Sequence, residues 1–301
     1  MVYRNSTPST TIGKCSILWV KFSASAERLL YWHKNDIEQK FGLRGAKYTN
    51  VNAKFSFVIA LVLTSCFFVA LFLLPDSSLR DLCTRRGVTT YPTVFFGVWT
   101  LVILGIKRLK LREQKKALRI SVLPQTGDVI ISRNTVDSIL AVIYSIAPDP
   151  HAYLLYHRIV ATLSNLKNLG RVSDVDEMFR SHAERDDSSL ETSYTLVNGF
   201  LWAIPVFGFV GTVLGLSHAI GSFGSVLTST SEMDEIADSL RHVTAGLVTA
   251  FDTTLLALVI ALFLSLTATA LRKAEEEFLD ACSEYCNSNI VQHLRIEEEK
   301  E

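Results

Sequence analysis

One carboxylate stands inside a long apolar run. Residues 244–258 read TAGLVTAFDTTLLAL, and Asp252 is the one charge between residues 243 and 271. A carboxylate at the centre of a membrane helix costs about 2.5–3.5 kcal/mol on insertion scales, so it normally faces protein or water and is a functional candidate. Thr249 lies three residues before Asp252, and Thr253 lies four after Thr249. On a helix such positions are neighbours. Gly246 and His242 extend the same face. The result is a polar strip on an apolar helix, suited to hydrating an ion or relaying a proton, because a hydroxyl both donates and accepts hydrogen bonds. The plainer reading of Asp252 is a buried tie to neighbouring threonines.

A second run, residues 202–218, reads WAIPVFGFVGTVLGLSH. Gly208, Gly211, Thr212, Gly215 and Ala219 fall on one stripe at helical spacing. Small stripes let membrane helices approach closely, so Gly208, Gly211, Gly215 and, on the other run, Gly246 are expected at helix–helix contacts. Pro205 removes one backbone donor and is expected to bend its helix. Thr212 either bonds its own backbone or faces a hydrated path.

Four uncharged runs must position these residues. Residues 55–74, 88–106 and 196–216, and the run 243–271 with its single aspartate, are the expected transmembrane helices. A hydrocarbon core of about 30 Å needs about 20 helical residues, so 88–106, diluted by Thr89, Thr90 and Pro92, is the shortest candidate. Basic residues mark the cytoplasmic side. Lys107, Arg108, Lys110, Arg112, Lys115, Lys116 and Arg119 follow the second run, and Arg272 and Lys273 follow the fourth. Lys40, Arg44, Lys47 and Lys54 precede the first. The loop before the fourth run holds Glu232, Asp234, Glu235 and Asp238 against Arg241 and suits the outside. Arg80, Arg85 and Arg86 in the first outer loop run against this pattern. Both termini are expected in the cytoplasm, with no cleaved leader.

The expected organisation is a cytoplasmic N-terminal segment 1–54, transmembrane helices 1 and 2 in 55–106, a cytoplasmic helical region 107–193, a channel-like pair of transmembrane helices in 194–271, and a cytoplasmic helix 272–301. Between residues 139 and 146 the apolar positions Ile139, Val142, Ile143 and Ile146 repeat at the helical period. Pro148 and Pro150 end that helix, another spans 152–168 with Gly170 as its stop, and Ser173-Asp-Val-Asp176 has the form of a capping box. Strand signals are nearly absent, so the fold class is all-α, a polytopic membrane protein with long cytoplasmic helical extensions.

Lys and Arg total 30, and Asp and Glu total 30. A nucleic-acid binder would show a basic surplus. Cys15, Cys66, Cys83, Cys282 and Cys286 form no CxxC pair, and no metal site or disulfide framework is expected. Cys282 and Cys286 read as small residues on a packed helix face. No nucleotide-binding loop and no nucleophile–base pair is found, so neither an enzyme nor a cofactor is expected.

The segment FGFVGTVLGL at 207–216, with Pro205 before it, resembles the G-x-x-G-T-V-x-G-[IL] signature of the MotA/TolQ/ExbB proton-channel family. The segment LVTAFDTTLLAL at 247–258 is similar to the family's next helix. The resemblance covers roughly residues 170–275, and its motif wording is closer to ExbB and TolQ, while four spans resemble the MotA layout. Thr244 stands where ExbB-type members carry a glutamate, MotA-type members have a proline that the last run lacks, and Asp252 has no counterpart in the best-known members. By resemblance, Thr212 and Thr249 match the pore-lining threonines, which are expected to meet across the third and fourth runs. The resemblance implies a homopentamer around a dimer of a single-span ExbD/TolR/MotB-like partner in the bacterial inner membrane, with H+ or Na+ as the transported ion. The alternative is a non-conducting membrane scaffold that assembles envelope or signalling partners.

Overall fold

The computed structural model describes residues 30, 32, 38, 48–73, 87–122, 131, 135–165, 172–229 and 233–294. Cys15, Cys83, Lys40, Arg44, Lys47, Arg80, Arg85, Arg86, Gly170 and Glu232 lie outside them, as do the side chains of Asp234, Glu235, Asp238 and His242. The described residues are helical but for turns and one isolated parallel bridge, Ile131 to Leu294. The fold is all-α.

The helices are α1 (Ala53–Leu73), α2 (Thr90–Ala117), α3 (Val136–Ile146), α4 (Leu154–Ser164), α5 (Val172–Ser193), α6 (Thr195–Ser229) and α7 (Met233–Asn289). Three stretches are long and apolar enough to cross a bilayer: Ala53–Leu73, Val172–Gly221 and Val243–His293. The second run differs from the expectation. It becomes the first part of α2, whose uncharged residues 90–106 would extend about 25 Å at 1.5 Å per residue, short of a core of about 30 Å. Only Tyr194 separates α5 from α6, and α7 continues without a break far past its apolar part.

Local chemistry sets the ends. Asn52 caps α1 by accepting the Lys54 amide at 3.1 Å, satisfying one of the orphan donors of a first turn. Gly87, at φ +124°, makes the turn into α2 that a residue with a Cβ would resist. Pro92 falls in the first turn of α2, where its missing N–H costs nothing. Ala147, the residue before Pro148, is extended and stops α3. The capping box is not formed: Ser173 already lies within the described part of α5, and its hydroxyl reaches the Asp174 carboxylate at 3.4 Å.

The chain divides into two compact units. One comprises Met1–Asn50, Leu109–Leu190 and Glu275–Glu301; the other comprises Val51–Arg108 and Glu191–Ala274. In the first, Ile139, Val142, Ile143 and Ile146 of α3 are buried, as are Leu155, Ile159 and Leu163 of α4. Gln114 closes the open start of α4, accepting the Leu154 amide at 3.0 Å and donating to the Ala152 carbonyl at 2.8 Å.

Buried charge in this unit is matched. Lys110 meets Glu38 at 2.6 Å and also donates to the Asn50 carbonyl. Arg158, 1 % exposed, donates from Nε to Asp186 at 2.6 Å and from Nη1 to Ser283 at 3.0 Å. This one side chain thereby ties α4, α5 and α7. Cys282 and Cys286 are buried on a packed face, and burial pushes both thiols up, Cys286 to about 12. They are inert packing residues, since reactivity requires the thiolate.

Asp186→Asn removes the carboxylate and leaves a buried guanidinium uncompensated, a loss of about 3–5 kcal/mol. A clear fall in thermal midpoint of the detergent-solubilised protein is expected; an unchanged midpoint would mean that Arg158 is not held this way. His182, on α5, is held below its ordinary value by burial and then by Arg185. Below about pH 6.5 the unfolded chain therefore binds a proton that the folded chain resists. This contribution lowers stability as pH falls through 6.5, and His182→Gln should flatten the dependence of the midpoint between pH 7.5 and 5.5.

Candidate functional site: a hydroxyl contact between two membrane helices

The membrane unit is built around the antiparallel approach of α6 and α7. A Cβ placed on Gly208 would stand 2.6 Å from the Ala257 Cβ, and one on Gly246 would stand 2.8 Å from the Ala219 Cβ. A Cβ on Gly215 would lie 3.1 Å from both the Ala250 Cβ and the Gly246 carbonyl oxygen. At Gly211 it would meet Thr89 Oγ1 at 2.6 Å and Thr253 Oγ1 at 2.7 Å. As α6 advances through 208, 211, 215 and 219, its partners on α7 fall through 257, 253, 250 and 246. At Gly208, Gly211 and Gly246 an added Cβ would force a neighbour to shift, and at Gly215 the fit would be tighter than ordinary packing. The helix runs through Pro205 without interruption.

Around the seam lies an apolar belt. Ile204, Ala257 and Leu264 form its core, with Phe96, Leu201, Ile260 and Ala261 against them. Phe96 of α2 stacks on Phe207 at 5.5 Å between centroids, and Trp99 packs on Phe200 at 4.5 Å. The Trp99 indole donates to Ser56 Oγ of α1 at 3.0 Å, which satisfies its polar handle. At the end of the uncharged part of α2, Lys107 is buried. Its ammonium donates to Ser193 Oγ at 3.0 Å and sits 4.4 Å from the centre of the Tyr194 ring. The cation is thus held by a hydroxyl and an aromatic face.

Within the seam the hydroxyl of Thr212 meets that of Thr254. Thr212 Oγ1 also lies 3.2 Å from the Ala250 carbonyl and 3.3 Å from its own Gly208 carbonyl. Thr254 Oγ1 reaches the same two carbonyls, at 3.3 Å and 3.1 Å. Thr253, buried, donates to the Ala250 carbonyl at 3.0 Å. Two hydroxyls therefore bridge two helices with two carbonyls as acceptors. Each hydroxyl carries one proton and can accept another bond, the minimum needed to pass a proton or to lend oxygens to a cation.

The expected pairing of Thr212 with Thr249 is replaced by this one. Thr249 bonds the Ala245 carbonyl of its own helix at 3.0 Å. At about 100° per residue, the line Gly246, Ala250, Thr254, Ala257 faces α6, while Thr249 lies at its edge and Asp252 further round. Asp252 is half-buried. The structure thus brings Thr212, Thr253, Gly208, Gly211, Gly215 and Gly246 together, sets Thr249 on the flank and turns Asp252 to the far side of α7. Thr254 and Thr89 were missed by the sequence reading. The signal for Thr254 was present, since it continues the small-residue line of α7 at helical spacing. Thr89 comes from the turn before α2, far away in the chain, and carries no such signal.

A helical membrane protein with a hydroxyl-bridged, glycine-packed pair of crossing helices is the class that these features define. The model of the MotA/TolQ/ExbB proton channel family matches residues 151–284, a little under half of the chain. That segment is similar to this family, and it contains α6, the apolar part of α7 and the Thr212–Thr254 contact. Comparison with curated proteins and with solved structures gives no match.

Gly211→Ala should disrupt the seam, because even a methyl group meets two threonine hydroxyls within van der Waals radii. The expected result is a lowered thermal midpoint. Gly221→Ala, at a helical glycine with nothing within 4 Å, should be neutral or stabilising by up to about 1 kcal/mol. Equal midpoints for the two variants would exclude the close approach.

Proposed function

We propose that the chain is an ion-conducting subunit which, with a single-span partner of ExbD/TolR/MotB type, turns a transmembrane proton gradient into mechanical work. The observation that carries this reading is the Thr212–Thr254 contact inside the segment that resembles the proton channel family. A charge crossing 100 mV releases about 2.3 kcal/mol, so a few ions drive a mechanical step. The subunits form a homopentamer around two partner helices, which supply the carboxylate that takes up and releases the ion. The membrane is the bacterial inner membrane, and the short uncharged part of α2 makes the fourth crossing where the bilayer thins around it, with both termini in the cytoplasm. That orientation rests on the basic residues that follow α2 and the apolar part of α7. The role is transport, not enzymatic turnover, and H+ is favoured over Na+ because a pair of bridging hydroxyls suits proton relay better than a cation shell.

Two sets of variants test this in vesicles carrying chain and partner. Thr212→Val and Thr254→Val keep the shape of the seam but remove the exchangeable protons, so each should abolish proton flux while the assembly survives. Thr249→Val should have the smaller effect. Normal flux in Thr254→Val would end the channel assignment for this contact. Asp252→Asn probes the far side of α7: reduced flux places the carboxylate beside an ion path, and unchanged flux makes it a tie between helices.

A further inference from the structure

Two helices carry charge out of the membrane region, and their exposed faces are opposite in sign. On α2, Arg108, Arg112 and Lys116 are exposed at successive turns, and Arg119 is exposed just past the helix end. On α7, Glu277, Asp280 and Glu284 are exposed at the spacing of one helix face. Lys273 begins that face one turn earlier. Within the chain, Lys116 is bonded to Glu113 at 2.7 Å, and Glu277 has an interaction of its own. Arg112, Arg119, Asp280 and Glu284 make no ion pair among the described residues.

The two stripes also stand at matching heights within their own unit: three residues past Arg119, the Val122 amide donates to the hydroxyl of Tyr285, the neighbour of Glu284, at 2.9 Å. Copies that share one bilayer are related by rotation about the membrane normal, which preserves height. A head-to-tail contact of this kind closes a ring.

We infer that the basic stripe Arg112–Lys116–Arg119 of one copy docks on the acidic stripe Glu277–Asp280–Glu284 of a neighbouring copy, forming a charged cytoplasmic seam between subunits. The inference rests on the oligomeric reading above and adds the surfaces that join the copies. Individual exposed ion pairs contribute little. Aligned rows of opposite charge instead fix register and partner choice, since like-charged juxtaposition is costly. The apolar membrane faces, being non-directional, can slide over one another; the charged rows set which face of a copy meets which.

The test uses the full chain in native membranes, with Cys15, Cys66 and Cys83 replaced by serine. Two differently tagged copies are co-expressed, one carrying Lys116→Cys and the other Asp280→Cys, and mildly oxidised. A disulfide joining the two tags is expected, and none when both copies carry Lys116→Cys. In parallel, Arg112→Glu with Lys116→Glu should cause loss of the oligomer on native mass measurement. Adding Glu277→Lys, Asp280→Lys and Glu284→Lys in the same chain should restore it. An oligomeric wild type with no cross-link and full tolerance of charge reversal overturns this seam and leaves the oligomeric reading standing. A monomeric wild type overturns both. Charge reversal that abolishes binding to phosphatidylglycerol vesicles while the oligomer persists assigns the basic stripe to lipid and overturns the seam.

Discussion

The close approach of α6 and α7 is the constraint on which the membrane unit depends. Lipid tails are as apolar as leucine, so burial of hydrocarbon does not drive two helices together inside a bilayer. What remains is packing and hydrogen bonding at short range, and both require the backbones to come near. Gly208, Gly211 and Gly215 allow this on α6, and Ala250, Ala257 and Gly246 allow it on α7. Because the partners step in register at four positions along about three turns, the contact also fixes rotation. It determines which α7 residues face α6 and which are turned to the flank.

That rotation decides the chemistry. Thr212 and Thr254 face one another because they share a turn with Gly208, Gly211 and Ala250, whose small size brings the two carbonyls within reach. A threonine inside a membrane is affordable when its hydroxyl finds a carbonyl, and each does so here. The bridging geometry follows from close packing and would be lost if either backbone moved outward by the width of a methyl group. Structure and candidate function are therefore the same contact seen twice.

The other unit solves a different problem. It buries Lys110, Arg158 and Glu38, which in an apolar core would each cost several kcal/mol if left alone. Each is placed against a partner: Lys110 against Glu38, and Arg158 against Asp186 with Ser283. Pairs of this kind cost more than well-packed apolar residues would, but they tolerate little misalignment. In Arg158 a single side chain holds helices that are distant in sequence, so the register of α4, α5 and α7 is specified by geometry rather than by hydrophobic volume.

Sequence alone determined the all-α class, because uncharged runs of about 20 residues admit no other economical solution in lipid. It also marked Gly208, Gly211 and Gly215 as the stripe of close contact, since spacing on a helix is periodic and needs no partner to be read. The buried face carrying Cys282 and Cys286 was legible for the same reason. The partner across the seam was not. Thr249 and Thr254 are both polar positions on an apolar helix, and periodicity places each on a face without saying which face meets α6. Only the tertiary structure chose between them, through the rotation that close packing imposes on α7. The start of α2 at Thr90 instead of residue 88 was likewise left to the structure, where Gly87 makes the turn. Thr89 beside Gly211, and Arg158 between Asp186 and Ser283, join residues far apart in the chain. One-dimensional spacing carries no record of such meetings, because they are set by how whole helices pack.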